Sequence, residues 1–400
     1  MYVPFPLEAL ELNVPVPVNI WDPKGVLLLR KGEVIRNAQH REYLLLHAPM
    51  VDEDEHRAWS YRYTAEIDRR LRGNEALTKI AGVTRPMGVE NVQASAELTP
   101  SEAWADMHSI LQTLLHQNVT SQDFVSRLVQ LEQRMDNVLR TRVDDSLFIL
   151  VQLLFDRSVG YSATHALLCS VICRLVGQTV GLQPGEQASL CRAALTMNIG
   201  MARLHDALAR QSAPLAEDQR AAILHHPAEG VALLRQLGVG DHLWLELVAD
   251  HHEDAAGKGY PAGKRVQGVP VQLLRLADIF VGRISPRQAR AGLLPQLAAR
   301  DVYLGDDGQP NPLGAAFVKT LGLYIPGSYV RLSDGEVGVV VRRGRRANAP
   351  TVFAIVGRHG MPLGEPALRD TLEREHEVKS SISADDVKVR ISAQKLLSRV

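Results

Sequence analysis

The sequence predicts a mainly α-helical protein with a small β-rich unit at each end. Apolar residues recur at helical spacing, with breaks, from about residue 101 to about residue 297. Residues 1–58 and the residues after 324 instead show short alternating runs separated by Gly and Pro turns, which is typical of strands. We therefore expect a helical core domain between two small β units.

The composition is that of a globular protein from a reducing compartment. The chain has 400 residues, enough for two or three domains, and 46% of them are hydrophobic, which excludes general disorder. Lys+Arg and Asp+Glu each number 45, so no net charge attracts nucleic acid or an anionic membrane. Three cysteines, an odd number, argue against a disulfide framework.

No export or membrane signal is evident, so we expect a soluble, cytoplasmic protein without nucleic-acid or membrane partners. Residues 1–5 lack a basic stretch followed by an apolar core. The longest apolar runs, such as residues 147–155, are too short to cross a bilayer.

Residues 1–72 are predicted to form a small β-rich domain with a connecting helix. Residues 14–18 alternate, although their prolines confine them to a sheet edge, and residues 25–35 indicate two short strands around a Lys-Gly turn. A helix is expected over about 39–47, and residues 59–72 are the expected connecting helix.

A linker and the helical domain follow. Residues 73–100 mix Gly, Pro, Asn and Thr without clear periodicity and form the expected linker. Residues 101–323 form the predicted helical domain. Its expected helices cover residues 101–117, 121–141, 144–158, 160–181, 184–196, 216–237, 241–252 and 270–284.

Residues 324–400 are predicted to form the second β unit. Two apolar runs, 328–332 and 337–341, flank Asp334-Gly335, a residue pair that favours a tight hairpin. Further strands are expected over residues 351–356 and 387–391.

The stretch from His251 to Pro261 carries the strongest chemical signal. His251 and His252 end an apolar, helix-like run, where both imidazoles can turn towards one site, and imidazole suits iron, zinc, nickel and copper. The residues Gly257-Lys258-Gly259-Tyr260-Pro261 follow, and their glycines allow close backbone approach. Two histidines alone would leave an ordinary helix end and turn as the simpler interpretation.

This stretch resembles the signature of the HD-GYP family, a branch of the HD metal-dependent phosphohydrolases, and the resemblance extends over about residues 145–290. It implies a helical domain with two or three metal ions, often iron or manganese, that hydrolyses the bacterial second messenger cyclic di-GMP. It also implies that the loop 257–261 borders the nucleotide site and contacts diguanylate cyclase domains. A small β domain before the helical domain is common in that family.

The resemblance further implies a set of metal ligands. Tyr161-Ser162-Ala163-Thr164-His165 is similar to the first helix motif, and His226-Pro227 is similar to the family's His-Pro element, which favours His226 over His225. The paired histidines and a terminal Ala-Asp motif complete the set. The implied ligands are His165, His226, His251, His252 and Asp278.

The family's name-giving His-Asp dyad is absent. Met197 and Asn198 stand at the two dyad positions, and Met201 stands where the family carries a lysine that approaches phosphate. A thioether is a poor ligand for hard ions, an amide is a weak bridge, and methionine cannot neutralise an oxyanion. Tyr161 stands where the three-metal members carry Glu, and Ala256 stands where an acid is usual.

The nearby pair His205-Asp206 is an alternative source of a dyad. Register argues against this, because the spacing from Ile199-Gly200 to His226-Pro227 fits the family without a gap and places residues 205 and 206 after the dyad. In addition, eight residues along a straight helix correspond to about 12 Å and about 80° of rotation from position 197. We expect a solvated pair that flanks a loop.

The expected cofactor is one divalent metal ion (Fe, Mn or Zn) or none, and no catalytic residue is assigned. Four neutral imidazoles and one carboxylate carry a formal charge of minus one, against plus four for two ions. The expected function is that of a degenerate HD-GYP protein in cyclic di-GMP signalling, binding nucleotide or a protein partner. A phosphodiesterase with a reduced metal site is the alternative, and an interaction platform that binds no nucleotide is a third reading.

Three other features could form ligand sites but have simpler structural interpretations. Cys169 and Cys173 share a helical face with His165, which suggests zinc, but core packing is favoured. The basic cluster at residues 342–346 is expected to be a solvated turn rather than a phosphate site. Arg275 could meet a nucleotide phosphate or pair with a carboxylate.

Overall fold

The computed structural model describes residues 2–5, 12–52, 55, 99–116, 123–305 and 308–400. The chain divides into two compact units, residues 1–97 and residues 98–400. The expected connecting helix 59–72 and nearly all of the expected linker 73–100 lie outside the described residues. The expected boundary at residue 324 stays a prediction, since it falls inside the second unit.

The first unit contains a small antiparallel sheet and one helix. The strand order is β1-β4-β2-β3, and the helix α1 precedes β4. Phe5, Ile20, Ile35, Leu44 and Val51 are among the buried residues of its core. The bounds are β1 Tyr2–Pro4, β2 Ile20–Trp21, β3 Leu27–Leu29, α1 Ala38–Leu46 and β4 Met50–Asp52.

The sequence-based expectations for this unit are confirmed for its helix and for β3, whereas the second strand expected within residues 25–35 is reduced to isolated bridges at Val34 and Ile35. The helix expected over 39–47 is α1, which begins after Asn37, whose side chain accepts a hydrogen bond from the backbone N–H of His40. Residues 14–18 form no strand and contribute one isolated bridge, Pro15 to Val34. The reason is that prolines lack the N–H that a strand ladder requires.

The second unit is built around helices, as the sequence predicts. Most of the expected helices are found within a few residues of the predicted bounds, whereas α7, α11 and α12 were not foreseen. The helices are α2 Pro100–His116, α3 Phe124–Leu139, α4 Val143–Phe155, α5 Tyr161–Val180, α6 Pro184–Thr196, α7 Ala202–Arg210, α8 Glu217–Gln236, α9 His242–Asp250, α10 Val269–Ile284, α11 Pro295–Leu304 and α12 Pro312–Leu321.

Helix α5 is the central helix of this unit. It packs against α6 and α10 and is buried along most of its length. It is long and apolar enough to cross a bilayer by length and composition, which the sequence reading of shorter apolar runs overlooked. Because 72% of its most apolar window is buried inside the protein, we interpret α5 as a core helix.

The last 75 residues or so contain a five-stranded antiparallel sheet with the order β8-β7-β6-β5-β9. The expected hairpin around Asp334-Gly335 is confirmed by the pairing of Tyr329 with Val339. The strands are β5 Tyr329–Leu332, β6 Val337–Arg342, β7 Thr351–Val356, β8 Pro362–Asp370 and β9 Val378–Ile382, and a short helix α13 spans Ala393–Leu397.

The strand expected over 387–391 is wrong, because this segment is irregular. The sheet position next to β5 is taken by β9, and a 3-10 turn at Ala384–Asp386 then turns the chain away. Strands β8 and β9 escaped sequence analysis because edge strands are polar and interrupted, as at Pro366 and Gly364.

Buried polar contacts join this sheet to helix α4. Asp145, whose side chain is fully buried, accepts a hydrogen bond from Arg342, and Arg343 donates to Asp144 at 2.5 Å. Gln152 donates to the carbonyl of Gly327 at 2.6 Å. The basic cluster is therefore only partly the solvated turn that we expected, since its first two arginines are paired.

Candidate metal centre and ligand cleft

Three of the predicted ligands form a compact cluster. His226 lies within α8, while His251 and His252 follow the last residue of α9. One ring nitrogen from each lies within 4.8 Å of the other two. The end of α9 makes this arrangement possible, since adjacent residues inside a helix would point in different directions.

Backbone carbonyls fix two of these imidazoles. Nδ1 of His226 lies 2.6 Å from the carbonyl oxygen of Ile223, and Nδ1 of His251 lies 2.7 Å from that of Val248. Each Nδ1 therefore donates its hydrogen, which leaves Nε2 with a free lone pair. The same second-sphere contact is usual for histidines that bind metals.

The two Nε2 atoms lie 3.1 Å apart and are buried. Two lone pairs at this distance cannot hydrogen-bond to each other without an additional proton. Two ligands bound at about 2.0–2.1 Å to one ion lie roughly this far apart. The donor set and its spacing therefore fit a single transition-metal ion.

The protonation states of the cluster agree with this assignment. Burial lowers the pKa of His226, and burial together with His252 and His226 lowers the pKa of His251 well below its usual value. Burial lowers the pKa of His252 to about 4 against the pull of Asp278. All three imidazoles are thus neutral at pH 7, the form that binds metals.

Asp278 connects the remaining predicted ligand to the cluster. Its Oδ1 accepts a hydrogen bond of 2.9 Å from Nε2 of His165, and its Oδ2 lies 3.8 Å from Nδ1 of His252. Burial opposes ionisation of this carboxyl, but the hydrogen bond from His165 and the nearby histidines outweigh it and lower its pKa. The four predicted histidine ligands consequently lie around one carboxylate, that of Asp278.

His165 also contacts the residue at the lost glutamate position. Its Nδ1 lies 3.3 Å from the hydroxyl of Tyr161, and this hydroxyl accepts a hydrogen bond of 3.0 Å from Arg287. Since His165 donates from Nε2 to Asp278, its Nδ1 accepts the hydrogen of Tyr161. Tyr161 thus replaces an anionic ligand with a neutral hydrogen-bond donor.

The two lost dyad positions lie in different surroundings. Met197 is completely buried at the end of α6, and Asn198 is nearly buried but forms part of the cleft wall together with Met201. A 3-10 turn at Ile199–Met201 follows. Gly200 is required there for close packing, because a Cβ would lie 2.6 Å from the carbonyl oxygen of His226.

The expectation that His205 and Asp206 form a solvated pair is wrong. Both residues lie within α7 and are 6% exposed. Asp206 accepts a hydrogen bond of 2.7 Å from the backbone N–H of Ser162 and lies 2.9 Å from Nε2 of His116. The expectation of solvation failed because α7 packs against α5, which buries both side chains.

His205 instead belongs to the wall of the cleft. Its ring lies edge-to-face with the rings of Tyr161 and His165, at centroid distances of 4.6 and 5.4 Å. Burial, His165 and Arg287 lower its pKa well below the usual value. Its Nδ1 is buried and has no hydrogen-bond partner among the residues that the structure describes.

The glycine-rich loop covers one side of the cluster. The ring of Tyr260 stacks on His252 with a centroid distance of 4.3 Å and an interplanar angle of 21°. Gly259 allows this, because a Cβ there would lie 2.3 Å from the carbonyl oxygen of His252. Burial raises the pKa of Tyr260, so its hydroxyl stays protonated.

Two carboxylates that sequence analysis did not single out hold this loop. Glu253 is 1% exposed and accepts hydrogen bonds from the backbone N–H groups of Ala262, at 2.7 Å, and Lys264, at 3.1 Å. Asp254 accepts from those of Ala256 and Lys258, both at 2.9 Å. A signal was available, since both acids directly follow the paired histidines.

The ligand cleft is a cavity of about 320 Å³ beside the cluster. Arg283, Arg287 and Arg290 line it, and Asp278 is the one carboxylate among its described lining residues. Arg283 forms an ion pair with Asp301 at an adjoining cavity, so with the histidines counted as neutral, Arg287, Arg290 and Asp278 leave a formal charge of plus one. Sequence analysis missed these arginines and named Arg275, which lines an adjoining cavity.

Two other potential metal groups are better explained without metal. Cys169 and Cys173 are fully buried free thiols, and burial raises the pKa of each, as expected for core packing. In the C-terminal sheet, Asp334, Glu336 and His376 lie close together. There Arg369 donates to both oxygens of Glu336 at 2.8 and 3.0 Å, so we interpret this group as an ion-pair network.

Comparison with known protein families gives one match. Residues 149–302 match the HD domain family. The matched segment includes the five predicted ligands, the Gly-Tyr-Pro loop and the three arginines of the cleft.

Three curated proteins that resemble this chain are named as phosphodiesterases of cyclic dinucleotides. The chain is 26% identical over 216 residues to the cyclic di-GMP phosphodiesterase PA4108 of Pseudomonas aeruginosa, covering 53% of this chain and 51% of that protein. It is 28% identical over 184 residues to the cyclic di-GMP phosphodiesterase response regulator RpfG of Xanthomonas campestris, covering 44% and 47%. It is 22% identical over 193 residues to the 3'3'-cGAMP-specific phosphodiesterase 1 of Vibrio cholerae, covering 48% and 42%.

The chain spans about half the length of the curated relatives it matches. Among solved structures, it is similar to Bd1817, an HDG"Y"P protein from Bdellovibrio bacteriovorus, with a TM-score of 0.47 and 14% identity. That similarity covers 80% of this chain and 98% of the other.

Proposed function

Because the chain carries an HD domain of the HD-GYP type, we propose that it acts in bacterial cyclic di-GMP signalling as a nucleotide-binding regulator rather than as an efficient hydrolase. The observation that carries this proposal is the charge of the cleft. Arg287 and Arg290, together with Arg283 in its pair with Asp301, outweigh the one lining carboxylate and favour an anionic ligand, and Asn198 stands where the resemblance implies a bridging carboxylate.

The positive cleft supports binding of a phosphodiester. Arg283, Arg287 and Arg290 line a cavity of about 320 Å³, a size typical of small-ligand sites. Arginine forms short, charge-assisted hydrogen bonds with phosphate oxygens. Tyr260 adds an aromatic face at the same cleft, which suits stacking with a nucleotide base.

The metal site supports one divalent ion of the Fe, Mn or Zn class. His226, His251 and His252 would hold it, with Asp278 on its open side. Such an ion would polarise a phosphate oxygen and acidify a bound water. With His205 included, five neutral imidazoles and one carboxylate still carry a charge of minus one, which balances one divalent ion far better than two.

The missing bridge opposes efficient hydrolysis. A bridged pair of ions needs an anionic ligand between them, and Asn198 offers a neutral amide there. Met201 provides no positive charge for phosphate in the cleft. Binding therefore survives these substitutions better than catalysis does.

Calorimetric titration with cyclic di-GMP, followed by hydrolysis assays, tests the proposal. The assays include Mn²⁺ and anaerobic Fe²⁺ under reducing conditions. We expect binding without multiple turnovers. Failure to bind would contradict the nucleotide-binding role and favour an interaction platform that uses the β units.

The alternative function is a metal-dependent cyclic di-GMP phosphodiesterase with a reduced metal site. The specific observation in its favour is that His205 faces the cleft beside His165, so the site contains one more imidazole than the sequence indicated. Turnover that is abolished by His251→Ala would establish this alternative.

We also propose a cytoplasmic location. We further propose that a signalling partner, such as a diguanylate cyclase domain, binds the loop Gly257-Lys258-Gly259-Tyr260-Pro261. In support of this, Lys258 is exposed while Glu253 and Asp254 hold the loop backbone. Co-purification with and without Lys258→Glu tests the contact, and equal recovery of partner would contradict it.

A further inference from the structure

His205 has hydrogen-bonding capacity that the described protein does not use. The residue is 6% exposed, its ring forms part of the cleft wall, and Nδ1 has no hydrogen-bond partner in the described ranges. A buried polar group without a partner is unfavourable, and such groups are rare in folded proteins. The position therefore calls for a ligand that is not part of the chain.

Two kinds of ligand could satisfy this imidazole: a cation or an acceptor oxygen. The surroundings distinguish them. Arg283, Arg287 and Arg290 line the same cleft, and Asp278 is the one carboxylate among its described lining residues. A second cation beside His205 would be repelled, whereas an anion would be attracted.

The neighbours of His205 also leave its Nδ1 available. Tyr161 and His165 contact its ring edge-to-face, and each uses its own polar atoms elsewhere, Tyr161 with Arg287 and His165 with Asp278. The imidazole lines the cleft and its torsion about the Cβ–Cγ bond is soft, so a ring nitrogen can turn towards a bound ligand. An imidazole carries at least one N–H in either protonation state.

We propose that His205 is a ligand-contacting residue that donates a hydrogen bond to a phosphate oxygen of the bound phosphodiester. This inference rests on the proposed nucleotide-binding function and adds a residue that sequence analysis had placed in solvent. Met201 lines the same cleft without a polar hydrogen, so His205 supplies a donor that methionine lacks.

Calorimetry with cyclic di-GMP on three variants tests the inference. His205→Phe keeps the ring contacts but removes both nitrogens, and His205→Asn keeps a donor. His225→Ala is the control, because His225 is exposed and lies next to His226. We expect the dissociation constant of His205→Phe to rise about tenfold, the usual size for one hydrogen bond to a charged group. His205→Asn should bind more tightly than His205→Phe, and the control should match the wild type.

The outcomes separate this inference from the proposed function. No binding by the wild type refutes both. Wild-type affinity in a folded His205→Phe refutes the inference alone. A loss of bound metal in His205→Phe as large as that in His251→Ala also refutes it, since His205 would then bind the ion. If His205→Phe does not fold, the ¹⁵N resonances of the wild-type imidazole serve instead, and we expect a shift on addition of cyclic di-GMP; no shift refutes the inference.

Discussion

Nε2 of His226 and Nε2 of His251 face each other at 3.1 Å, each on a ring whose other nitrogen donates to a backbone carbonyl. Without an ion or an extra proton between them, the two lone pairs repel. This relationship between α8 and the end of α9 is the strongest structural support for the proposed metal site.

The first prediction concerns the ion itself. His251→Ala should weaken binding of Zn²⁺ or Co²⁺ at least about 100-fold, since loss of even a supporting contact reduces metal affinity by about 10–100-fold. Competition with a chromophoric chelator measures this. His225→Ala, at an exposed neighbouring position, should leave the affinity unchanged. Equal affinity in both variants would mean that the histidines are core residues only.

The second prediction concerns the missing carboxylate. Asn198→Asp adds a negative charge to the cleft wall and should strengthen Mn²⁺ binding about tenfold, because hard ions prefer carboxylate oxygens. Met197→His should instead lower the melting temperature, because Met197 is fully buried. Metal analysis at fixed free Mn²⁺ checks the first effect, and an unchanged metal content in Asn198→Asp would contradict it.

The third prediction is a pH dependence of stability in metal-free protein. The pKa of His252 falls from 6.5 to about 4 on folding, so the unfolded chain binds more protons between these values and stability decreases as pH falls through this range. At pH 5 the lowered pKa of His252 reduces the free energy of unfolding by about 2 kcal/mol. Urea unfolding at pH 7.5 and pH 5 measures it. The loss on acidification should be smaller in His252→Gln than in the wild type, and unchanged in His242→Gln, whose side chain is 95% exposed. Equal losses in all three would be inconsistent with the shift.

The fourth prediction concerns the glycine-rich loop. Glu253→Gln leaves one acceptor oxygen for the backbone N–H groups of Ala262 and Lys264, so their amide hydrogens should exchange faster with solvent. Hydrogen exchange followed by mass spectrometry or NMR detects this. Glu246→Gln, at a half-exposed site on α9, is the control and should exchange as the wild type does. Unchanged exchange in Glu253→Gln would show that Glu253 does not hold the loop.

The fifth prediction concerns the junction between α4 and the C-terminal sheet. Asp145→Asn should lower the free energy of unfolding by about 3 kcal/mol, because it leaves Arg342 without its buried charged partner. Asp385→Asn breaks the exposed pair with Arg157 and should cost less than about 1 kcal/mol. Urea unfolding measures both, and similar losses in the two variants would contradict the difference in burial.

Much of the helical domain could be predicted from sequence because its helices have strong apolar periodicity. Helices α6 and α10 begin and end within a residue of their expected bounds. Helix α12 was missed although Asn311 and Pro312 form a recognisable helix start, with the Asn311 side chain accepting from the backbone N–H of Gly314. The edge strands of the C-terminal sheet were missed because their pattern is set by the neighbouring strand rather than by burial on one face.

The site was only partly predictable. The five ligand positions follow from the family resemblance, and the structure brings the four histidines together around Asp278, while their roles stay a prediction. His205 could not be placed, because its orientation depends on a 3-10 turn that interrupts helical geometry at Ile199–Met201. The arginines of the cleft converge only in the folded chain, so sequence distance gave no indication of their shared cavity.

The carbonyl contacts of Ile223 and Val248 have one further consequence. They orient the imidazoles of His226 and His251 through bonds that lie entirely within the protein, on helices with their own apolar core. The proposed centre is thus preorganised, and we expect the domain to fold without an ion, in contrast to a zinc finger. Treatment with a strong chelator should empty the centre and leave the helical scaffold intact, ready to be reloaded.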